Sequence, residues 1–291
     1  MKNNKNKFGL NSLKKQFPTD DACLEFIFST LHSKKCSCGG EYHKVSGRKK
    51  YQCSKCRFQI APTAGTIFHK SDTPLSLWFY AILVFSNAKS GISAKQMQSN
   101  LEVTYKCAYR ILKHIREALK QDDKQLRGDV EVDTALWGGR GNAGKNNENL
   151  SAVIAKKAVI IAGVERGGRI KAEVVEDAGG YVMKDFIQRN VATKATSLIT
   201  DNSVVYKSSD KTHDRYSVNH SKREFVRGDI HINTIETFFA HLKRSIRGTF
   251  KNVSNQKLQS YLDSFVFHYN NRHSDKARFE VLLGALLHAS K

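Results

Sequence analysis

A chain of 291 residues with 40% hydrophobic content and three prolines can bury a sizeable core and carry one or two small modules besides. Its longest apolar run, Trp78 to Phe85, is far short of the ~20 residues a membrane helix needs. The basic start MKNNKNKFGL lacks the apolar stretch of a secretory signal, so a cytoplasmic protein with no membrane partner is expected. Lys and Arg number 48 against 27 Asp and Glu, a formal charge of +21 that points to a polyanion, nucleic acid first. The excess is spread over Lys34–Lys35, Arg48–Lys50, Arg110–Arg116, Arg140–Lys145 and Lys243–Lys251, so several contact surfaces are expected rather than one basic tail.

Residues 1–31 read as a helical lead-in: Thr19 is a cap, Asp20 and Asp21 suit the positive end of a helix, and Leu24, Phe26, Ile27 and Leu31 give an apolar face. Residues 32–70 hold two close cysteine pairs, Cys36-Ser-Cys38 and Cys53-Ser-Lys-Cys56, a hairpin's length apart. Four soft thiolates from two tight turns are what tetrahedral zinc requires, so a zinc ribbon with structural Zn2+ is expected. The first pair is CxC rather than CxxC, which leaves His32 or His43 open as a replacement ligand. Cys23 and Cys107 read as ordinary buried thiols.

Residues 71–120 are helical. Pro74 opens a helix bearing Leu75, Trp78, Ile82 and Phe85. A short helix near Ala94–Asn100, a turn, and a longer helix Thr104–Leu119 then form a helix-turn-helix pattern. The second helix presents Lys106, Arg110, Lys113 and Arg116, a side basic enough for phosphate or base contact, although a plain helical hairpin has the same pattern.

After the polar hinge Gln121–Arg127 the texture changes to strands. Asp129–Leu136 alternates, with Val130 and Val132 on one face and Asp129, Glu131 and Asp133 on the other. A Gly/Asn-rich loop, Gly138–Asn149, follows and carries Arg140 and Lys145 as candidate backbone contacts for DNA. Lys157–Val164 and Arg169–Val175 flank a hairpin turn, Tyr181–Asn190 is a helix, and Ala195–Thr200 is a buried strand ending at Asp201. A looser segment, Tyr206–Asp229, leads to HINTIETFFAHLK. There Ile235, Phe238, Phe239, Leu242 and Ile246 form an apolar stripe, while Glu236 and Lys243 stand two turns apart on another face. A final core helix is Ser254–Tyr269.

Strand, two strands, helix, strand, helix is the order of a ribonuclease H-like domain, an α/β fold in which Asp133, Asp201 and Glu236 would meet at one sheet edge. Clustered carboxylates suit hard divalent cations, and two Mg2+ (or Mn2+) ions would serve an in-line phosphoryl transfer.

At this point the chain resembles the zinc-ribbon DDE transposases of bacterial insertion sequences, the group related to eukaryotic Merlin elements. The resemblance runs through the cysteine ribbon, TAGTIFHKSDTPLSLWF, GISAKQM, EVDTALWGG, ITDNSVVY, VNHSKREFVR, HINTIETFFAHLKRSIRG and SYLDSFVFHYNNR. It implies Asp133, Asp201 and Glu236 as metal ligands, Lys243 as a phosphate or DNA-end contact, and Asn233 as the rival third ligand. His220 and His231 are candidates to support these groups, and Arg244 and Arg247 extend the basic face. The family commonly has an acid after the first Asp and a smaller apolar residue nearby, where this chain has Thr134 and Trp137. The implied organisation is a lead-in (1–31), zinc ribbon (32–70), helix-turn-helix module (71–120), ribonuclease H-like catalytic domain (128–275) and tail helix (276–291). The implied partners are double-stranded DNA and further copies of the chain. The alternatives are a catalytically inactive DNA-binding derivative and a structure-specific nuclease.

Overall fold

An extended Thr19 turns the chain into helix by accepting the Ala22 amide on its own hydroxyl, as the cap pattern predicts. The computed structural model describes residues 7–138, 157–219, 222 and 224–289, with backbone alone for 194–196. The chain divides into two units, Met1–Leu119 with Asn271–Lys291, and Lys120–Asn270. It is mixed α/β, and among the described residues no helix is long and apolar enough to cross a membrane.

The first unit holds α1 (Leu10–Gln16), α2 (Asp20–Leu31) and a three-stranded antiparallel sheet, β1 (Tyr42–Lys44), β2 (Tyr51–Cys53) and β3 (Gln59–Ile60). Helices α3 (Leu75–Asn87), α4 (Ala94–Leu101) and α5 (Tyr105–Ala118) follow. Pro74 cannot cap α3, and Asp20 does so from across the fold, accepting from the amides of Leu75 (3.0 Å) and Ser76 (2.9 Å). Ser93 and Thr104 cap α4 and α5, and Glu102 turns the chain between them in the left-handed region (φ 53°). The last helix, α9 (Asp275–His288), packs on α3 and α5. Its Arg278 is wholly buried, donating to the carbonyls of Ser86 and Asn271 and pairing with Asp275.

The second unit is a five-stranded mixed sheet with β4 (Leu126–Trp137) at its centre. On one side β5 (Ala158–Glu165) and β6 (Ile170–Val175) continue antiparallel; on the other β7 (Val191–Asp201) and β8 (Asp214–Val218) run parallel to β4. Because side chains alternate along a strand, β4 contributes to two cores. Val130 and Val132 join Ile161 and Leu198 under α6 (Gly180–Asn190). Ala135 and Trp137 join Ile160, Ala162 and Ile199 beneath α7 (Asn233–Ser245) and α8 (Asn255–Asn270). The predicted stripe Ile235, Phe238, Phe239, Leu242 and Ile246 is buried there, and residues Ile246–Phe250 prolong α7 as a π-turn.

Strand β6 is a sheet edge, yet its backbone is not left to water. Gln121 Oε1 accepts from Ala172 N (3.0 Å), Gln259 Oε1 from Val174 N (2.7 Å) and Asn270 Oδ1 from Ile170 N (2.8 Å). Side-chain amides stand in for a sixth strand and block edge pairing. The segment read as loose, Tyr206–Asp229, contains structure: a 3-10 segment Val204–Lys211, the edge strand β8, and β9 (Val226–Arg227), which pairs with β10 (Ile230–His231). Its elements are short and carry exposed polar residues, so periodicity gave no signal there.

Candidate active site and metal centres

The β1–β2 hairpin sets Tyr42 opposite Cys53 and draws the two cysteine knuckles together. Cys36 and Cys56 sulfurs stand 3.7 Å apart, Cys38 and Cys53 sulfurs 3.5 Å, and all four lie within 4.8 Å of one another. A tetrahedron of sulfurs about 2.3 Å from zinc has edges of roughly 3.8 Å, so the set fits that ion. Neither histidine enters the set, and the cysteines are free rather than bridged. The short CxC knuckle closes by Cys36 N donating to Gly40 O (2.8 Å) and Gly39 N to Cys36 O (2.9 Å), with Gly39 in the left-handed region (φ 77°). Gly40 has no room for a side chain: a Cβ would come 2.6 Å from Cys53 Sγ. The Tyr42 hydroxyl donates to Cys36 Sγ (3.3 Å) and is the main reason that thiol is pulled down to about 6, toward the thiolate a metal binds. Cys23 is buried elsewhere, its thiol pushed up to about 12 by burial.

The carboxylates are placed by strand register. Glu131 on β4 pairs with Ile199 on β7. Two residues further along both strands, on the same face, come Asp133 and Asp201. Both charges bear on the buried Tyr206 hydroxyl, whose pKa burial raises first and these two acids raise further. Asp201 Oδ1 accepts from Ser203 N (3.1 Å). Thr134 alternates to the opposite face from Asp133, and Trp137 is buried under α7 and α8, so neither departure from the family pattern occupies the aspartates' position.

Helix α7 packs on β4 and β5 over that same face. Asn233 and Glu236 are exposed in its first turn, Lys243 is half-buried two turns on, and Arg244 and Arg247 are exposed. Among the described residues Glu236 has no side-chain hydrogen bond or ion pair. The oxygens of Asp133, Asp201 and Glu236 do not close within 4.8 Å of one another; among the described residues only the four cysteines do so.

On α5, Lys106, Arg110 and Lys113 are exposed; Arg110 donates to Thr73 Oγ1 (3.0 Å) and Lys113 lies 3.6 Å from Glu117. Arg116, read from the sequence as part of that basic side, does not share it: the residue is buried, its guanidinium donating to Ile92 O (3.4 Å), because its helical position faces the core of the first unit. Arg140, Lys145 and His220 lie outside the described residues.

One residue without a role in the sequence reading ties α7 to β4. Glu131 is wholly buried and accepts from Thr234 N (2.8 Å), Thr234 Oγ1 (3.0 Å), Ile235 N (3.0 Å) and Arg166 Nε (2.8 Å), with His231 Nδ1 at 3.5 Å. The available signal was an absence: Ile232, at the cap position before α7, has no side chain that can cap it, so the helix takes its acceptor from far away.

A family model described as an ISXO2-like transposase domain matches residues 125–270. A protein of Halobacterium salinarum (strain ATCC 700922 / JCM 11081 / NRC-1), described as an uncharacterized protein in transposable element ISH50, is 25% identical over 229 residues, covering 75% of this chain and 77% of its own. The family match takes in half the chain and contains the whole aspartate-bearing sheet with α7 and α8, so this chain belongs to the ISXO2-like transposases of insertion sequences.

Proposed function

We propose that the protein is a DNA transposase that cuts the ends of its element and joins them to target DNA. The observation that carries this is the shared face of Asp133 and Asp201 on neighbouring strands under the helix bearing Glu236 and Lys243, in a chain of a transposase family. A central strand β4 that is continued by the antiparallel meander β5–β6 on one side and by the parallel strands β7 and β8 on the other supports the ribonuclease H-like reading. The capped α4–turn–α5 pair, with Lys106, Arg110 and Lys113 outward, supports a helix-turn-helix DNA contact, and the cysteine set a structural zinc.

Asp133, Asp201 and Glu236 would hold two Mg2+ or Mn2+ ions, with Asn233 the rival third donor. Their oxygen-only donor set suits hard cations, and like-charged carboxylates gain from closer approach only with cations between them. Such ions lower the pKa of bound water and stabilise a leaving oxygen. In the hydrolytic step, water attacks the phosphorus at the element's end. The bond to the 3′ oxygen breaks, leaving a 5′-phosphate and a free 3′-hydroxyl. That hydroxyl then attacks a target phosphodiester and expels its 3′ oxygen. Lys243, on the flank of α7 that carries Glu236, holds a phosphate of the reacting strand. Two ends must be held at once, so the working form is a dimer or larger, in the cytoplasm where its DNA lies.

The test uses the full chain, a labelled duplex carrying the element's terminal sequence, and Mn2+ or Mg2+. Wild type should give nicked and joined products. Asp201→Asn should lose both by at least a hundredfold while retaining DNA affinity within a few-fold, because it removes a metal ligand and not a phosphate contact. Nicking without joining would replace this reading with a nuclease, and undiminished cutting by Asp201→Asn would overturn the site.

A further inference from the structure

Resting on that reading, we propose that Glu131 is a positioning residue for the catalytic carboxylates: it fixes the first turn of α7, and with it Glu236, against the strand that carries Asp133. Glu131 and Asp133 share one face of β4, two residues apart, a separation of about 7 Å. Glu236 lies in the same helical turn as Thr234 and Ile235, whose amides end on the Glu131 carboxylate. The path from one catalytic acid to another is therefore one strand repeat, a pair of charge-assisted hydrogen bonds and one helical turn.

The far side of the carboxylate is equally constrained. Arg166, in the β5–β6 turn, donates through Nε to Glu131 and through its terminal nitrogens to Asp229 O (2.6 Å) and His231 O (2.8 Å). Its own amide donates to Asp129 O (3.0 Å), tying the turn back to β4. One ion pair, its carboxylate fully buried, thus joins the strand, the hairpin turn, the lead-in to α7 and α7 itself. The wiring is specific to a carboxylate. Four donors converge on its two oxygens, and an amide of the same size would turn an N–H2 toward either Arg166 or the helix. A purely stabilising pair would need no such directed set, since apolar residues of similar volume often serve a core as well.

The experiment measures Mn2+ binding to the zinc-loaded full chain by calorimetry, well below each variant's melting temperature, beside DNA affinity and the Mn2+ dependence of cutting. Glu131→Gln should weaken Mn2+ binding at least tenfold, leave DNA affinity within a few-fold, and regain cutting as Mn2+ is raised. Arg166→Lys keeps the charge but loses the reach to Asp229 and His231; it should shift the metal dependence in the same direction by less, and it carries the test if Glu131→Gln does not fold. A Glu131→Gln protein that melts earlier yet keeps wild-type Mn2+ affinity overturns the proposal and leaves the active-site reading standing. Wild-type Mn2+ binding that is indifferent to Asp201→Asn overturns both.

Discussion

At the scale of single residues, the first cysteine knuckle shows how little freedom an abnormal spacing leaves. CxC gives one fewer residue than the usual turn, and the chain compensates with Gly39 in a left-handed conformation and Gly40 pressed against Cys53 Sγ. Gly40→Ala must displace either Cys53 or the backbone of the knuckle. Tyr42→Phe is gentler, removing only the hydrogen bond to Cys36 Sγ. Partners of metal ligands are typically worth about 10–100-fold in affinity. Tyr42→Phe should therefore speed zinc loss to a chromogenic chelator by that order, and Gly40→Ala by more. Unchanged zinc retention in both would mean the knuckle tolerates geometries the packing forbids. Asp20 makes a second prediction. Burial alone would raise its pKa, but the Ser76 hydroxyl and the Ser76 and Leu75 amides outweigh burial and hold it below the usual carboxylate value. Its stabilisation is thus present above the ordinary carboxylate range and is lost as pH falls through the depressed folded value. Asp20→Ala should cost about 1 kcal/mol at neutral pH, the usual worth of a helix cap. In thermal melts the gap from wild type should shrink in acid; a gap that widened there would reverse the sign.

At the scale of elements, what could be read in advance was whatever repeats along the chain. The stripe on α7, the alternation of β4 around Val130 and Val132, and the caps Thr19 and Thr104 depend on neighbours in sequence, and they stand as expected. What could not be read was supplied from far away. Asp20 caps α3, Glu131 caps α7, and Gln121, Gln259 and Asn270 finish the edge of β6. Each is a polar residue whose partner lies 50 or more positions off, and local pattern carries no trace of such a pairing. The candidate site divides the same way: the order of elements puts the two aspartates on one face, while the bonds from Thr234 and Ile235 to Glu131 that tie α7 to β4 leave no trace in local pattern. Asn270 offers a test, because it both accepts from Ile170 N and donates to Ile170 O (3.0 Å). Asn270→Leu leaves both backbone groups unpaired and should cost on the order of 1–3 kcal/mol in denaturant unfolding. It should also promote association through the opened β6 edge, visible by light scattering. A monodisperse variant of wild-type stability would show that water serves the edge as well as these side chains do.

At the scale of the whole molecule, the positive charge needs a purpose, because self-repulsion at +21 works against compactness. Few of the exposed cations are neutralised locally. Lys113 and Lys276 pair with glutamates one turn away, and Arg189 pairs with Glu173 and Asp185, but Lys106, Arg244 and Arg247 have no acidic partner among the described residues. If the proposed contacts on α5 and α7 both meet a duplex, affinity becomes a counterion-release problem. If 6–10 phosphates are neutralised, binding should weaken by about 10³–10⁵ between 50 and 200 mM salt. Replacing Lys106 should lower that slope by about one unit without altering preference among sequences, as a phosphate contact does. Replacing Arg244 or Arg247 should do the same for the second unit. Fluorescence anisotropy across a salt series reads both the slope and its change. A shallow slope in the wild type would mean that the excess charge faces something other than a nucleic-acid backbone. An unchanged slope in every variant would move the contact surface away from α5 and α7.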